Sequence, residues 1–184
     1  MTATSDNLER NSQITKGVYE FCRVAKETKP GDEEQLGKVC LQIAQDITGS
    51  KFGFISEVNA AGRHDTIALS DPGWAECRMG SKAPKLIQNM EVRGIWGWVI
   101  KNGSPLICND PAHHPDSVGT PPGHPALVRF LGVPLQDQGK TFGMIALANK
   151  QSNYQVEDLQ AVTQLAERLS LVFRIRWSFR KPSA

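Results

Sequence analysis

The 184-residue sequence lacks long apolar runs, an export signal and any strong excess of charge. No apolar stretch approaches the ~18 to 20 residues of a membrane-spanning helix, and the polar N-terminus has no apolar core of the kind that directs secretion. We therefore expect a cytoplasmic protein with no membrane partner. The formal net charge is only +2, so charge gives no reason to expect a nucleic-acid partner.

Cysteine is scarce and scattered along the chain. Cys22, Cys40, Cys77 and Cys108 form no Cys-x-x-Cys pair and accompany no export signal, so we expect reduced thiols. Cys22 and Cys40 fall on apolar helical faces and are predicted to be buried. Because hydrophobic residues make up 40% and charged residues 22%, the composition is that of an ordinary globular protein.

Hydrophobic periodicity divides the chain into two regular flanks and an irregular middle. Apolar residues at helical spacing predict a first helix, a second helix with Asp32 as its N-cap and Gly49 as its stop, and a long last helix. Runs rich in aromatic and β-branched residues predict strands joined by short turns. The predicted helices cover residues 7–28, 33–48, 95–101 and 155–180, and Asn102-Gly103 is predicted to stop the third of them. The predicted strands cover residues 51–58, 63–69, 105–108, 130–135 and 141–148, with a turn at 136–139 in the second hairpin.

The order of these elements predicts an α+β fold, because helices and strands do not alternate as in a doubly wound sheet. We expect an antiparallel sheet of five to six strands with the N- and C-terminal helices on one face. Residues 70–129 contain two Asp-Pro pairs and a Pro-Pro-Gly sequence, which interrupt regular structure. This stretch, which we call the middle segment, is predicted to pack on the other face of the sheet and to cover a cavity.

Three sequence motifs resemble those of GAF domains. They are Phe130-Leu-Gly-Val-Pro-Leu135, Gly143-Met-Ile-Ala-Leu-Ala-Asn-Lys150, and a last helix that opens with Glu157-Asp158. The stretch Val92-Arg-Gly-Ile-Trp-Gly97 and residues 109–135 are most similar to the GAF modules of prokaryotic sensor histidine kinases. The resemblance covers residues 32–174 and implies a GAF/PAS-like sensory fold, with a small-molecule pocket on the sheet face opposite the helices.

Two ligand types known in the family fit this sequence poorly. Phytochrome-type GAF domains attach a bilin through a cysteine beside a histidine, and residues 110–129 contain no cysteine. Cyclic-nucleotide-binding members carry an Asn-Lys, an aromatic residue and an Asp-Glu pair, which Asn149-Lys150, Tyr154 and Glu157-Asp158 match only in outline. We interpret this match as structural, with Lys150 paired to an acid in the first turn of the last helix.

The middle segment contains the candidate ligand-binding residues. Tryptophan offers a flat apolar face and one donor, and Trp96 and Trp98 are two residues apart, so only one, expected to be Trp96, faces the pocket. Arg129, together with Arg93, would offer a fork to an anionic ligand. The candidate ligand-binding residues are Trp74, Cys77, Trp96, Asp110, His113, His124 and Arg129.

Two alternatives follow from the residue types in the same segment. Histidines and Cys108 are suited to haem or metal, which makes a haem- or metal-binding redox or gas sensor the second hypothesis, although their spacing fits no common zinc pattern and no metal site is assigned. The third hypothesis is an enzyme similar to methionine sulfoxide reductase that uses Cys77 and Cys108. Free methionine sulfoxide reductases carry a set of closely placed cysteines that this sequence lacks.

The sequence shows no phosphate loop and no Ser-His-Asp order, so no catalytic residue is assigned. We expect a non-enzymatic sensor for an unknown small molecule in signal transduction, with a partner such as a histidine kinase in a two-component system. Residues 1–31 are predicted to form an N-terminal dimerisation helix, residues 32–174 the GAF domain, and residues 175–184 the basic end of the last helix. The last helix has more apolar positions than one sheet face needs, which favours a homodimer.

Overall fold

The computed structural model describes residues 2–70, 88–120 and 122–178. Its five strands form one antiparallel sheet in the order β2-β1-β5-β4-β3, so the predicted α+β class and antiparallel sheet are confirmed. The strands are β1 (Phe52–Val58), β2 (His64–Leu69), β3 (Leu106–Cys108), β4 (Phe130–Asp137) and β5 (Lys140–Ala148). The helices are α1 (Thr2–Glu27), α2 (Glu33–Thr48), α3 (Gly94–Asn102) and α4 (Val156–Ser178), and a 3-10 turn spans Pro111–His113.

Two helices end at glycines that the sequence predicts as stops. Gly49 follows α2 with φ 70°, and Gly103 follows α3 with φ 59°, a left-handed conformation that other L-residues adopt at a cost. At the start of α2 the prediction is correct in position only. Asp32 occupies the N-cap but makes no capping bond with its side chain.

The β4–β5 hairpin turns more tightly than predicted. Asp137 pairs with Lys140, and the two residues between them, Gln138 and Gly139, have φ 48° and 77°. A two-residue turn with positive φ at both positions matches the twist of its strands. The predicted turn at residues 136–139 was therefore wrong in extent, because Gln136 and Asp137 continue the strand despite their polarity.

The sheet separates two apolar layers. On one face α2 and α4 cover alternate strand residues such as Leu131, Val133 and Ile145, and α1 packs on these two helices. On the other face Ile95 and Val99 of α3 pack against the intervening strand residues. Within the described ranges, the terminal helices and the middle segment therefore lie on opposite faces, as predicted.

Helices α1 and α4 run parallel, and polar contacts join them near both of their ends. Near the start of each helix, Arg10 contacts the carboxylate of Asp158. Near the other end, the buried guanidinium of Arg176 donates hydrogen bonds to the carbonyl oxygens of Ala25, Thr28 and Lys29 at 2.9, 2.7 and 3.0 Å. These bonds satisfy carbonyl groups that the end of α1 leaves without helical partners.

Asp158 has a fully buried carboxylate that several groups share. The ammonium of Lys150 lies 2.7 and 2.9 Å from its two oxygens, and the backbone N–H of Gln155 donates to it at 2.8 Å. The predicted pairing of Lys150 with an acid in the first turn of the last helix is thereby confirmed. The contact joins the end of β5, the start of α4 and, through Arg10, helix α1.

Cys22 corrects one sequence prediction. Cys40 is buried as predicted, but Cys22 is exposed. The adjacent Phe21 is fully buried instead, because α1 turns only a narrow stripe toward the core. Within the described residues, no helix combines the length and apolarity needed to cross a bilayer.

We expect Asp158→Asn to lower the free energy of unfolding by about 3 kcal/mol, because it leaves two cations at a buried site without their counter-charge. Urea denaturation followed by circular dichroism measures the change. Glu167→Gln, at an exposed position on the same helix, is the control and should shift stability by less than about 0.5 kcal/mol. Equal effects of the two substitutions would contradict the role given to Asp158.

Candidate functional site

The sheet face under α3 carries a second apolar cluster, which we call the α3 cluster. Its buried members come from α3 and from the three strands β3, β4 and β5, and partly buried aromatic residues surround them. All described members are apolar. They are Phe54, Ile95, Trp96, Trp98, Val99, Ile100, Leu106, Cys108, Leu127, Phe130, Met144 and Ala146.

His64 lies beside this cluster and is only 3% exposed. Its ring meets the ring of Phe54 edge-on with centroids 5.2 Å apart, and that of Trp96 with centroids 4.6 Å apart. The backbone of His64 forms two hydrogen bonds with Met90, of 2.8 and 3.0 Å. His64 therefore connects the sheet, α3 and the point at which the middle segment returns to the outer edge of β2.

Two buried side chains at this place have polar atoms without partners. The two ring nitrogens of His64 form no hydrogen bond in the described structure, and the hydroxyl of Ser56 forms none either. Ser56 is fully buried and pairs across the sheet with Met144 and Thr66, so its side chain lies on the same face as His64. Leaving a buried polar group without a hydrogen-bond partner lowers the stability of the fold by about 1–3 kcal/mol. The presence of these groups at this place therefore needs an explanation.

The electrostatics of this place keep His64 neutral. Burial lowers the pKa of His64 from its ordinary 6.5 to about 4, and the nearby Asp65 carboxylate offsets part of the effect. At neutral pH the ring therefore carries one N–H donor and one nitrogen acceptor.

Helix α3 directs its two tryptophans to different surroundings. Trp96 packs against His64, whereas Trp98 lines a cleft of about 350 Å³ between α3 and residues 115–118. Gly94 opens the helix with φ 69°, and a Cβ there would come within 2.8 Å of Val118. Both tryptophans also pack on the α3 cluster, so the expectation that only Trp96 faces a ligand stays a prediction.

Three other candidates lie in contacts of their own. Nδ1 of His113 is 2.8 Å from a carboxylate oxygen of Asp110, and these side chains are 84% and 67% exposed. His124 is exposed, donates from Nδ1 to the carbonyl of Pro125 at 2.7 Å, and lies edge-on to Phe52. The structure thus places Asp110 and His113 in solvent, away from the buried groups around His64. Trp74 and Cys77 lie outside the described residues.

Arg129 is engaged by the turn that follows β5. Its guanidinium donates to Asn153 at 3.0 Å and to the carbonyl of Lys150 at 3.3 Å. Beside it, Asn149 accepts from the backbone N–H of Val128 at 2.8 Å and donates to the carbonyl of Ala126 at 2.7 Å. These bonds hold the end of the middle segment against the turn that follows β5, and ligand binding by Arg129 stays a prediction.

Cys108 is a buried thiol on the α3 side of β3. Burial raises its pKa above the ordinary value, which lowers the fraction of the reactive thiolate at neutral pH. In the described ranges, no three side chains of the His, Cys, Asp and Glu types converge in a way that would hold a metal ion.

His64 and Ser56 were not among the residues selected from the sequence. The signal that could have found them is the hairpin, but only with the correct register. A turn at residues 59–62 would pair Val58 with Arg63, whereas Val58 pairs with His64. With the observed register, strand alternation puts Phe54, Ser56 and His64 on one face. The histidines of the middle segment were predicted as ligand-binding residues because they lie close together in the sequence.

We expect the free energy of unfolding to fall as the pH drops from 6.5 to about 4. In this window the unfolded chain binds a proton at His64 that the folded chain excludes, so acid favours unfolding; the contribution is complete above pH 6.5 and amounts to about 3 kcal/mol at most. Urea denaturation at a series of pH values measures the slope, and His64→Phe should flatten it. A variant with the same slope as wild type would contradict this assignment.

Comparison with known proteins places the fold. The family described as GAF domain matches residues 31–174. A curated relative, the methyl sulfide methyltransferase-associated sensor of Methanosarcina acetivorans, is 30% identical over 125 residues, which are 66% of this chain and 12% of that relative. The chain thus spans about an eighth of the length of that protein.

Solved structures share the architecture at low sequence identity. The GAF domain of a phosphoenolpyruvate-protein phosphotransferase from Coxiella burnetii has a TM-score of 0.75 at 16% identity, covering 91% of this chain and 96% of that one. The free methionine-R-sulfoxide reductase of Neisseria meningitidis has a TM-score of 0.70 at 14% identity, with 90% of both chains covered. The GAF domain of a putative sensor histidine kinase from Pseudomonas syringae pv. tomato has a TM-score of 0.61 at 18% identity, covering 95% and 96%. The resemblance therefore extends over several kinds of GAF protein, and this chain belongs to the GAF domain family.

Proposed function

We propose that the chain is a non-catalytic sensory GAF domain that binds a small molecule between its sheet and the middle segment, in a signalling protein or complex. The observation that carries the proposal is the group of buried, unpartnered polar atoms of His64 and Ser56, flanked by aromatic rings on the face opposite the three long helices. The name of the Methanosarcina relative as a sensor and the similarity to a sensor-kinase GAF domain support the signalling role.

A route from this face to the terminal helices runs through the strands themselves. In β1, Ser56 and Phe54 face α3 while Ile55 between them packs under the long helices, and β5 alternates in the same way at Met144 and Ile145. A ligand that moves α3 or these strands would reposition residues under α2 and α4. It can do so only if it binds one arrangement of the helices more tightly than another.

Binding without catalysis is supported by the state of Cys108. A reductase-like reaction needs a reactive thiolate, and burial raises the pKa of this thiol. The fold alone does not decide between the two functions, because GAF scaffolds include reductases such as the Neisseria protein.

We further propose that two copies pair through α1 and α4 and that the pair acts on a partner such as a histidine kinase. Much of the apolar surface of these helices is buried within one chain, including Phe21 and Phe173. Tyr19 of α1 and Leu171 and Ile175 of α4 nevertheless stay exposed. These side chains are the contacts available to a second copy.

The test of ligand binding is native mass spectrometry with an absorption spectrum of the protein as purified. We expect one small molecule per chain, retained in Trp98→Ala and lost or reduced at least tenfold in Trp96→Ala, because Trp96 packs against His64 and Trp98 faces the outer cleft. Thermal melts check that both variants fold. Equal loss from both variants would contradict the site, and a Soret band would identify the ligand as haem.

The test of pairing is light scattering after size-exclusion chromatography. We expect a dimer whose dissociation constant rises at least tenfold in Leu171→Glu with Ile175→Glu, since each buries a charge at the contact. Glu167→Gln, also exposed on α4, is the control. A wild-type monomer at every concentration would rule out the dimer.

A further inference from the structure

The unpartnered atoms around His64 are concentrated at one point of the fold. Three buried side-chain atoms without partners in the described structure belong to His64 and Ser56. His64 and Ser56 are diagonal neighbours on β2 and β1, whose side chains lie about 7–8 Å apart on one face. One polar group of a ligand placed between them can reach both.

The surroundings of these atoms define which molecules would fit. The rings of Phe54 and Trp96 both contact the ring of His64 edge-on, and the described members of the neighbouring α3 cluster are apolar. An anionic ligand would lose its hydration here and would be repelled by the Asp65 carboxylate, whose charge acts on His64. A planar molecule gains ring contacts, and an uncharged one avoids this loss.

We propose that His64 and Ser56 bind the polar end of a small, planar, uncharged molecule that carries a hydrogen-bond donor and an acceptor side by side, as carboxamides and lactams do. The proposal rests on the proposed function, because it names the chemistry of the ligand for the same face of the sheet. The neutral imidazole supplies one donor and one acceptor, and the serine hydroxyl supplies either. The carboxamide would satisfy groups that the folded chain alone leaves unpaired.

A stability measurement separates a binding role from a packing role for His64. The substitution His64→Phe removes two unpartnered nitrogens and retains a ring in contact with Phe54 and Trp96. If the role of His64 is to bind a ligand, the fold does not need these nitrogens. The melting temperature should then rise by about 2–4 °C. A histidine required only for packing would give a fall.

The binding experiment uses benzamide as the probe and the full chain with ¹⁵N-labelled histidines. We expect benzamide to shift the ring nitrogen resonances of His64, which are identified by their absence from His64→Phe. Its affinity should fall at least tenfold in His64→Phe and about threefold or more in Ser56→Ala. Glu167→Gln, at an exposed position of α4 on the opposite side of the sheet, should leave binding unchanged.

Benzoate provides the matched ligand control, because it has the shape of benzamide and a negative charge. We expect it to bind at least tenfold more weakly. Equal binding of the two probes, equal benzamide affinity in wild type and His64→Phe, or no binding of benzamide to wild type would each overturn this inference. If the molecule found in the purified protein also remains bound to His64→Phe, the inference fails while the proposed sensory function stands.

Discussion

The buried carboxylate of Asp158 is the contact on which the arrangement of the helical layer depends. It receives Lys150 from the end of β5, the backbone of Gln155 at the start of α4, and Arg10 from α1. Burying one charge is costly, and burying it with its partners is tolerated only in one geometry. The carboxylate therefore fixes the position of both terminal helices relative to the sheet, and Arg176 fixes their other ends.

Each face of the sheet encloses buried polar side chains, and each has some buried polar atoms without partners in the described structure, among them Oε1 of Gln45 on the helical side. On the helical side, the hydroxyl groups of Thr48, Ser50 and Tyr154 form a chain of hydrogen bonds of 2.7 Å each. On the α3 side, the polar atoms of His64 and Ser56 have no partners within the described residues. The unpaired atoms of His64 and Ser56 are those on which the proposed ligand site rests, because an incoming hydrogen-bond partner would offset the free-energy cost of leaving them unpaired.

Much of the fold could be predicted from the sequence because it rests on local rules. The stops at Gly49 and Gly103 follow from the left-handed backbone they require, and the pairing of Lys150 follows from the charge preference of a helix start. The errors arise where tertiary contacts prevail. Cys22 is exposed because neighbouring Phe21 fills the inward position, and strand pairing extends β4 through polar Asp137.

The candidate site was harder to predict because its chemistry comes from burial, which single residues in a sequence do not display. His113 and Asp110 have suitable side chains but pair with each other in solvent, whereas His64 looks like an ordinary strand residue until Phe54 and Trp96 enclose it. The same enclosure that removes His64 from water makes its nitrogens costly to leave unpaired. The proposed ligand site rests on that cost, because a hydrogen-bonding ligand would supply the partners that the described residues do not.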